Sequence, residues 1–239
     1  MKKLAIILSV LAVVCAVSAE AFAKEAPSKP PAATKPAAKD KLPKGFKRIF
    51  DGKTLKGWTG RKGPWKVEDG AIVGDTAFFK GKMKHNDFLY TDREYGDFEL
   101  RLKFRLVNHN SGVQVRSRAH KDFRVTGYQA DIAERRYTGI LYEEGERGIL
   151  ADVDPKEVAK HVKKGKWNDY RIVCQGNRLR FWIHGHLTID YTEKKKTAPK
   201  KGVIGLQLHG GPVMKVYFKD LILKELPKAA PKADDGQQK

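Results

Sequence analysis

The chain has 239 residues and a formal net charge of +20, of which +14 falls on residues 45–226. Such a basic surface attracts nucleic acid, acidic glycans or an anionic envelope, or simply keeps a protein in solution. No apolar run after residue 23 approaches the ~20 residues of a membrane-spanning helix. If the first 23 residues are removed, Cys174 is the one cysteine left, which excludes an internal disulfide and a cysteine-based zinc site.

The first segment resembles a secretory signal. Two lysines precede an apolar run over residues 4–17, and Ala21-Phe22-Ala23 fits the small-x-small pattern of a cleavage site. We therefore expect cleavage after Ala23 and a periplasmic or secreted protein. Both flanks of the remaining chain are rich in Ala, Lys and Pro, with little to bury. The predicted segments are a signal peptide over 1–23, a disordered linker over 24–44, one domain over 45–226 and a disordered tail over 227–239.

Strand patterns fill the predicted domain. Apolar and charged residues alternate over residues 98–106, which predicts a strand with one buried and one wet face. In the next run Val113 and Val115 alternate with Gln114 and Arg116, so Arg116 is expected on the polar side beside Gln114. Short turns at residues 69–70, 176–177 and 184–185 predict three hairpins.

One segment indicates a helix. Asp154 is placed to cap it and Pro155 to begin it. Ten or more short strands with close turns predict an all-β sandwich or jelly roll, and the alternation favours two antiparallel sheets. Trp65 and Trp167 fall inside strand patterns and are expected in the core rather than on a sugar ring.

Eight blocks of sequence resemble, in order, those of the 3-keto-disaccharide hydrolase family. They open with Gly45-Phe46-Lys47-Arg48-Ile49-Phe50-Asp51-Gly52 and continue to Trp58, and they span nearly all of residues 45–226. The later blocks are Trp65-Lys66-Val67-Glu68-Asp69-Gly70, Tyr95-Gly96-Asp97-Phe98-Glu99-Leu100, Asn110-Ser111-Gly112-Val113, Gly127-Tyr128-Gln129-Ala130-Asp131, Trp167-Asn168-Asp169-Tyr170, Gly205-Leu206-Gln207-Leu208-His209 and Phe218-Lys219-Asp220-Leu221.

The resemblance implies a concanavalin A-like jelly roll that acts on glycosides oxidised at C3. A 3-ketone acidifies the hydrogen on C2, so a single base can remove it and the group on C1 can leave by elimination. Water can then add back to give net hydrolysis. Such a site needs a base, a group that stabilises the enolate and an acid for the leaving group, not the paired carboxylates of an ordinary glycosidase.

Three side chains are the predicted catalytic groups. Asp131 is the preferred base, and it shares a strand face with Gln129 because the two are two residues apart. The family often carries Glu where Gln129 stands and Gln where Asp131 stands, so either the acid has moved by two positions or this chain belongs to a divergent branch. His209 is the alternative acid or base near neutral pH. Arg116 is the predicted anion stabiliser.

The remaining candidates are predicted to bind substrate. They share polar side chains at strand ends or in loops, and they are Asn110, Gln129, Tyr142, Glu144 and Gln207. No cofactor is certain, although Glu143 or Glu144 together with Asp131 could hold a divalent cation through oxygen ligands. The expected partner is a 3-keto-glycoside or another carbohydrate. The alternative function is a non-catalytic glycan-binding sandwich; predicted export and the lack of a recognised motif argue against nucleic acid.

Overall fold

The computed structural model describes residues 41–228. The predicted signal peptide, residues 24–40 of the linker and residues 229–239 of the tail lie outside this range, so those expectations stay predictions. Between residues 41 and 228, no helix has both the length and the apolar character needed to cross a membrane.

Strands dominate this part of the chain. In order they are β1 (Lys47–Arg48), β2 (Trp58–Thr59), β3 (Trp65–Glu68), β4 (Ala71–Asp75), β5 (Asp87–Thr91), β6 (Phe98–Leu106), β7 (Asn110–Ala119), β8 (Val125–Ala133), β9 (Leu141–Glu144), β10 (Gly148–Ala151), β11 (Asn168–Gln175), β12 (Arg178–Ile183), β13 (His186–Thr192), β14 (Val203–Leu208) and β15 (Lys215–Glu225). A 3₁₀ turn covers Thr76–Phe79, and helix α1 covers Pro155–His161.

The strands form two antiparallel sheets. Sheet A has the order β13-β12-β11-β6-β15-β4-β3, with β1 also paired to β15. Sheet B has the order β10-β9-β8-β7-β14-β5-β2. One hydrophobic cluster draws residues from both sheets, so the sheets pack face to face. The predicted all-β jelly-roll sandwich is confirmed.

Period-two patterns determine which face of each strand is buried. In β6, Phe98, Leu100, Leu102 and Phe104 lie in the core, whereas Arg101 is exposed on the other face. Burial of a large apolar side chain contributes about 1.5–3 kcal/mol, so this strand alone strongly favours its register.

The predicted turns and the predicted helix are confirmed. β11 and β12 are joined by the two-residue turn Gly176-Asn177, with Gln175 paired to Arg178. His184 and Gly185 both have positive φ, 48° and 83°, as the turn between β12 and β13 requires. The side chain of Asp154 accepts a hydrogen bond from the backbone N–H of Lys156 and caps α1.

Arg116 does not lie where the alternation predicted. The register between β7 and β8 shifts between Val115 and Arg118, and Arg116 has a left-handed φ of 50°. This β-bulge inserts a residue and turns Arg116 away from the face of Gln114. The Arg116 side chain is 1% exposed.

The four tryptophans divide between core and surface. Trp58 and Trp65 are buried. Trp167, expected in the core, is instead half-buried and contacts Arg105 and Lys219 on the outer face of sheet A. It lies two residues before Asp169, which is exposed on β11, so the alternation of the strand places Trp167 on the outer face.

Candidate active site on sheet B

A band of polar side chains crosses the face of sheet B that is turned away from the core. Gln114, Gln129, Asp131 and Gln207 belong to it, and none is more than 5% exposed. They come from the adjacent strands β7, β8 and β14. Buried polar groups need hydrogen-bond partners, because each one left unpaired costs about 1–3 kcal/mol of stability.

Strand register brings these side chains together. Gln114 is paired with Gln129, and Gly112 is paired with Asp131. A Cβ on Gly112 would lie 2.5 Å from the side-chain carbon Cδ of Gln129. The glycine in the Asn-Ser-Gly block therefore leaves the space that the Gln129 side chain fills.

Amides and carboxylates form one hydrogen-bonded chain. Gln114 Nε2 donates to Gln129 Oε1 over 2.8 Å, and Gln129 Nε2 donates to Asp131 Oδ1 over 2.5 Å. The same Gln129 nitrogen lies 3.4 Å from Gln207 Oε1. Because each amide both donates and accepts, the chain holds the Asp131 carboxyl in one orientation.

Glu144 joins this chain from β9. Its Oε1 accepts from Asn86 Nδ2 over 2.9 Å, and its Oε2 accepts from Gln207 Nε2 over 3.3 Å. Asn86 in turn accepts a hydrogen bond from the backbone N–H of Gly210. The network thus contains two carboxyl groups, Asp131 and Glu144, linked through neutral amides.

Burial raises the pKa of both carboxyl groups, so both are weaker acids than usual. It raises the pKa of Asp131 to about 7, and the negative charge of Glu144 adds to the rise while the hydrogen bond from Gln129 opposes it. Burial also raises the pKa of Glu144, against hydrogen bonds from Asn86 and Gln207. Asp131 is therefore protonated in part of the molecules near neutral pH, as suits a group that takes up and returns a proton.

An open cleft of about 500 Å³ lies at one end of this face. Its lining includes Asn110, which begins β7, His209, which follows β14, and Ala133, which ends β8. Asn110 is paired with Ala133, two residues along from the pair of Gly112 and Asp131. Asp131 therefore lies on the same face as the cleft-lining residue Ala133, two residues further along β8.

Two histidines meet at the cleft. His109 Nε2 lies 3.1 Å from His209 Nδ1, with the rings edge to face. Burial, reinforced by His109, lowers the pKa of His209, against the hydrogen bond to the Gly210 carbonyl. His209 is then neutral at pH 7, and its one N–H is the Nδ1–H that faces the Gly210 carbonyl. Its Nε2 is left as a proton acceptor.

Tyr142 completes the predicted group on β9. It is paired with Gln129 across β8 and β9. Burial raises the pKa of its phenol, and the charges of Glu144 and Asp131 add to that rise. Tyr142 therefore stays protonated and can donate a hydrogen bond beside the carboxyl pair.

The structure does not bring Arg116 to this site. Its Nε and Nη1 donate to the carbonyls of Gly96 and Gly176, and its Nη2 pairs with Asp97 at 2.6 Å. These contacts hold the buried guanidinium between loops of the sandwich. Arg116 therefore has a structural role, and the cleft cations are Arg135 and Arg136 instead.

Glu143 also lies apart from the carboxyl pair. Its carboxylate binds the Arg147 guanidinium, which pairs on its other side with Glu193 at 2.6 Å. Glu193 accepts a hydrogen bond from the Tyr128 hydroxyl over 2.7 Å. Adjacent residues of a strand point to opposite faces, which separates Glu143 from Glu144. The loop expected to hold a cation at Glu143 forms an ion-pair network instead.

Sequence reasoning missed three members of the site. Asn86 lies in a loop before β5, and only the folded chain brings it to Glu144. His109 directly precedes the Asn-Ser-Gly block and is absent from the predicted site residues. Gln114 shares its face with Gln129 and was detectable from the period-two alternation.

Comparison of the sequence with known protein families gives a match to a family named for carbohydrate chemistry. The family model described as "3-keto-alpha-glucoside-1,2-lyase-like domain" matches residues 45–224. No curated protein matches the sequence.

Solved structures share the fold. A "putative glycosyl hydrolase" from Parabacteroides distasonis ATCC 8503 superposes with a TM-score of 0.56 at 21% identity, covering 77% of this chain and 94% of that one. A second protein of that description and source gives 0.55 at 24% identity, covering 76% and 99%. Carbohydrate binding module CBM66 from Bacillus subtilis gives 0.54 at 16%, covering 71% and 96%.

At these identities the superpositions show the fold, while the family model covers most of the sequence and confirms the resemblance of the eight blocks. The chain belongs to the 3-keto-alpha-glucoside-1,2-lyase-like domain family.

Proposed function

We propose that this protein is an exported enzyme that cleaves 3-keto-glycosides by removing the proton on C2. The observation that carries the proposal is Asp131, a buried carboxyl whose pKa is raised to about 7 and whose orientation is held by Gln129. A base of this pKa is matched to neutral pH, and its carboxylate meets the acidified C2–H of a keto sugar. Membership in the family supports the same chemistry.

The proposed reaction needs no paired carboxylates of the glycosidase type. Asp131 takes the C2 proton, the C–H electrons form the enolate, and the C1–O bond then breaks to leave a 1,2-unsaturated 3-ketone. The acid so formed on Asp131 returns its proton to the departing oxygen. Water adds at C1 while His209 Nε2 accepts its proton and returns one at C2, which completes net hydrolysis.

Binding roles follow from the cleft. Asn110 and the cleft cations Arg135 and Arg136 supply N–H donors for the ketone oxygen, the role once expected of Arg116. Tyr142, Gln129, Glu144 and Gln207 orient the sugar hydroxyls or the base itself.

A test uses a 3-keto-glucoside with a chromogenic aglycone in deuterated water. We expect aglycone release together with deuterium at C2 of the sugar product, and both should be lost in Asp131→Asn. Asp169→Asn, which alters a half-exposed carboxylate on sheet A, is the matched control and should react normally. Release without deuterium at C2, or an unchanged rate in Asp131→Asn, would contradict the proposal.

A second candidate function is glycan binding without chemistry, and one observation favours it. The adjacent strands β12, β11, β6 and β15 of sheet A carry nine Lys and Arg against four Asp and Glu. Their outer face holds cations against aromatic rings, with Arg105 4.0 Å from the Tyr217 ring centroid and Arg171 4.2 Å from that of Trp182. Such a face suits an acidic polysaccharide. Binding that persists unchanged in Asp131→Asn would support this function independently of any catalysis.

A further inference from the structure

One group of potential metal ligands lies outside the candidate active site. Among residues 41–228, Glu157, His161 and His186 are the one set of three or more His, Cys, Asp or Glu side chains whose donor atoms all lie within 4.8 Å of one another. Glu157 and His161 are four residues apart on α1 and so share a face of the helix. His186 begins β13, on the neighbouring hairpin.

We infer that these three residues form a binding site for a transition-metal divalent cation of the Zn²⁺ class. Two imidazoles and one carboxylate are donors that such ions prefer, whereas Mg²⁺ and Ca²⁺ favour all-oxygen sites. The site is separate from the carboxyl pair on sheet B and independent of the function proposed for it.

Donor spacing supports the assignment. Glu157 Oε1 lies 3.5 Å from His161 Nε2. Two ligands about 2.1 Å from one tetrahedral ion lie roughly 3.4 Å apart, so this pair already has the required separation. Lys160 holds the other oxygen, Oε2, over 2.5 Å and leaves Oε1 for the ion.

One ring has to turn to complete the site. His161 and His186 are stacked, with ring centroids 3.9 Å apart and an interplanar angle of 9°. Lone pairs in parallel planes do not converge on one ion, so His186 must rotate about its Cβ–Cγ bond. Its side chain is only half-buried, so part of the ring faces solvent. Solvent then supplies the fourth ligand.

An ion at this position would connect α1 to β13 and support the cleft. On its other side α1 contributes Pro155 and Val158 to a small cavity of about 40 Å³, which is also lined by Val162, the residue after the helix, and by the segment 133–136. That segment also lines the large cleft. Tethering α1 therefore stabilises one wall of the candidate active site.

Titration of the full-length protein with Zn²⁺ tests the inference, with Co²⁺ as the spectroscopic probe. We expect one equivalent of Zn²⁺ to bind and to raise the melting temperature, and one equivalent of Co²⁺ to give visible d–d absorption. His186→Ala and the isosteric Glu157→Gln should each weaken binding at least about tenfold. His120→Ala, which removes a half-buried histidine elsewhere, should bind as the wild type does.

The competing position is the histidine pair at the cleft. Zn²⁺ binding that survives both His186→Ala and Glu157→Gln but disappears in His209→Ala would place the ion at His109 and His209 and overturn the inference. Absence of both the Co²⁺ absorption and the change in melting temperature in the wild type would also overturn it. Neither result would bear on C2 deprotonation, which is measured separately.

Discussion

At the scale of single residues, burial decides what each acid of the site can do. Asp131 and Glu144 lie within one hydrogen-bonded network, in which Asp131 is buried and Glu144 is half-buried. Burial disfavours the charged form, and each negative charge disfavours the other. The amides of Gln129 and Gln207 offset part of this cost and fix the geometry. The network thereby keeps a proton available at neutral pH.

This network predicts a pH-dependent stability. Asp131 has a folded-state pKa of about 7, above the ~3.9 of an unfolded chain. The unfolded chain therefore loses the proton first, so this residue's contribution to the free energy of unfolding falls from pH 4 to pH 7 and then levels off. Asp131→Asn has no carboxyl group at this position, so this fall is absent. The difference in free energy of unfolding, variant minus wild type, should therefore be larger at pH 8 than at pH 4 by at least about 1 kcal/mol. Urea unfolding at both pH values measures the difference.

Asp131 is also the proposed catalytic base. Asp131→Asn keeps the shape of the side chain and its acceptor for Gln129, but it removes the base. We expect kcat on a 3-keto-glucoside to fall by about 10²–10⁴-fold, with circular dichroism unchanged. A fall of less than tenfold would mean that another group removes the proton.

Arg116 provides the opposite case, in which a charged residue stabilises the fold without entering the site. Arg116→Met removes hydrogen bonds to two carbonyls and the ion pair with Asp97. Loss of one partner from a buried ion pair costs about 3–5 kcal/mol. We therefore expect a large fall in melting temperature with kcat per folded molecule unchanged. A selective loss of kcat at normal stability would return Arg116 to the catalytic group.

At the scale of secondary-structure elements, paired strands build the site and irregular positions shape it. β7 shows both effects, because Gly112 leaves room for Gln129 while the bulge at Arg116 turns the next charged side chain inward. β8 keeps Gln129 and Asp131 on one face. A carboxylate at either position would therefore lie on the same side of the sheet.

Gly112→Ala tests the role of the open position on β7. Its Cβ would lie within 2.5 Å of the Gln129 side chain, so Gln129 must move and release Asp131. We expect a destabilisation of about 1–3 kcal/mol and a loss of activity larger than that destabilisation explains. Gly96→Ala is the control, because the nearest atom to its new Cβ is 3.6 Å away. Equal effects in the two variants would contradict the prediction.

At the scale of the whole molecule, the two sheets differ in charge. Strands β9, β8, β7 and β14 of sheet B carry two Arg against three Asp and Glu, and one of those arginines is Arg116, buried away from the outer face. Sheet A carries the positive excess on its outer face. Part of the positive charge of the domain therefore lies on the outer face of sheet A, on the side of the sandwich away from the candidate active site.

This asymmetry predicts where an acidic polysaccharide binds. Arg105→Gln with Arg180→Gln removes two guanidinium groups whose Nε atoms are buried without a hydrogen-bond partner in the described residues. Affinity for alginate should fall several-fold and depend less on salt, since fewer counterions are displaced. Lys53→Gln with Lys56→Gln removes the same charge elsewhere and should bind normally. Equal loss in both doubles, or equal binding of duplex DNA, would indicate general charge attraction.

The sequence by itself determined the sandwich and the family. Alternation in β6, the turns at Gly176-Asn177 and His184-Gly185 and the cap at Asp154 are local signals, and each was found as predicted because neighbouring residues specify them. The eight ordered blocks carried the family, and period two was enough to place Gln129 and Asp131 on one face.

Tertiary structure alone decided which of the candidates meet. The bulge that turns Arg116 inward depends on pairing with β8, and Asn86 reaches Glu144 only because β5 and β9 belong to one folded sheet. The raised pKa of Asp131 likewise arises from burial and from a neighbour thirteen residues away. Burial, register shifts and long-range charge interactions are properties of packed strands, so they appear only when the chain has folded.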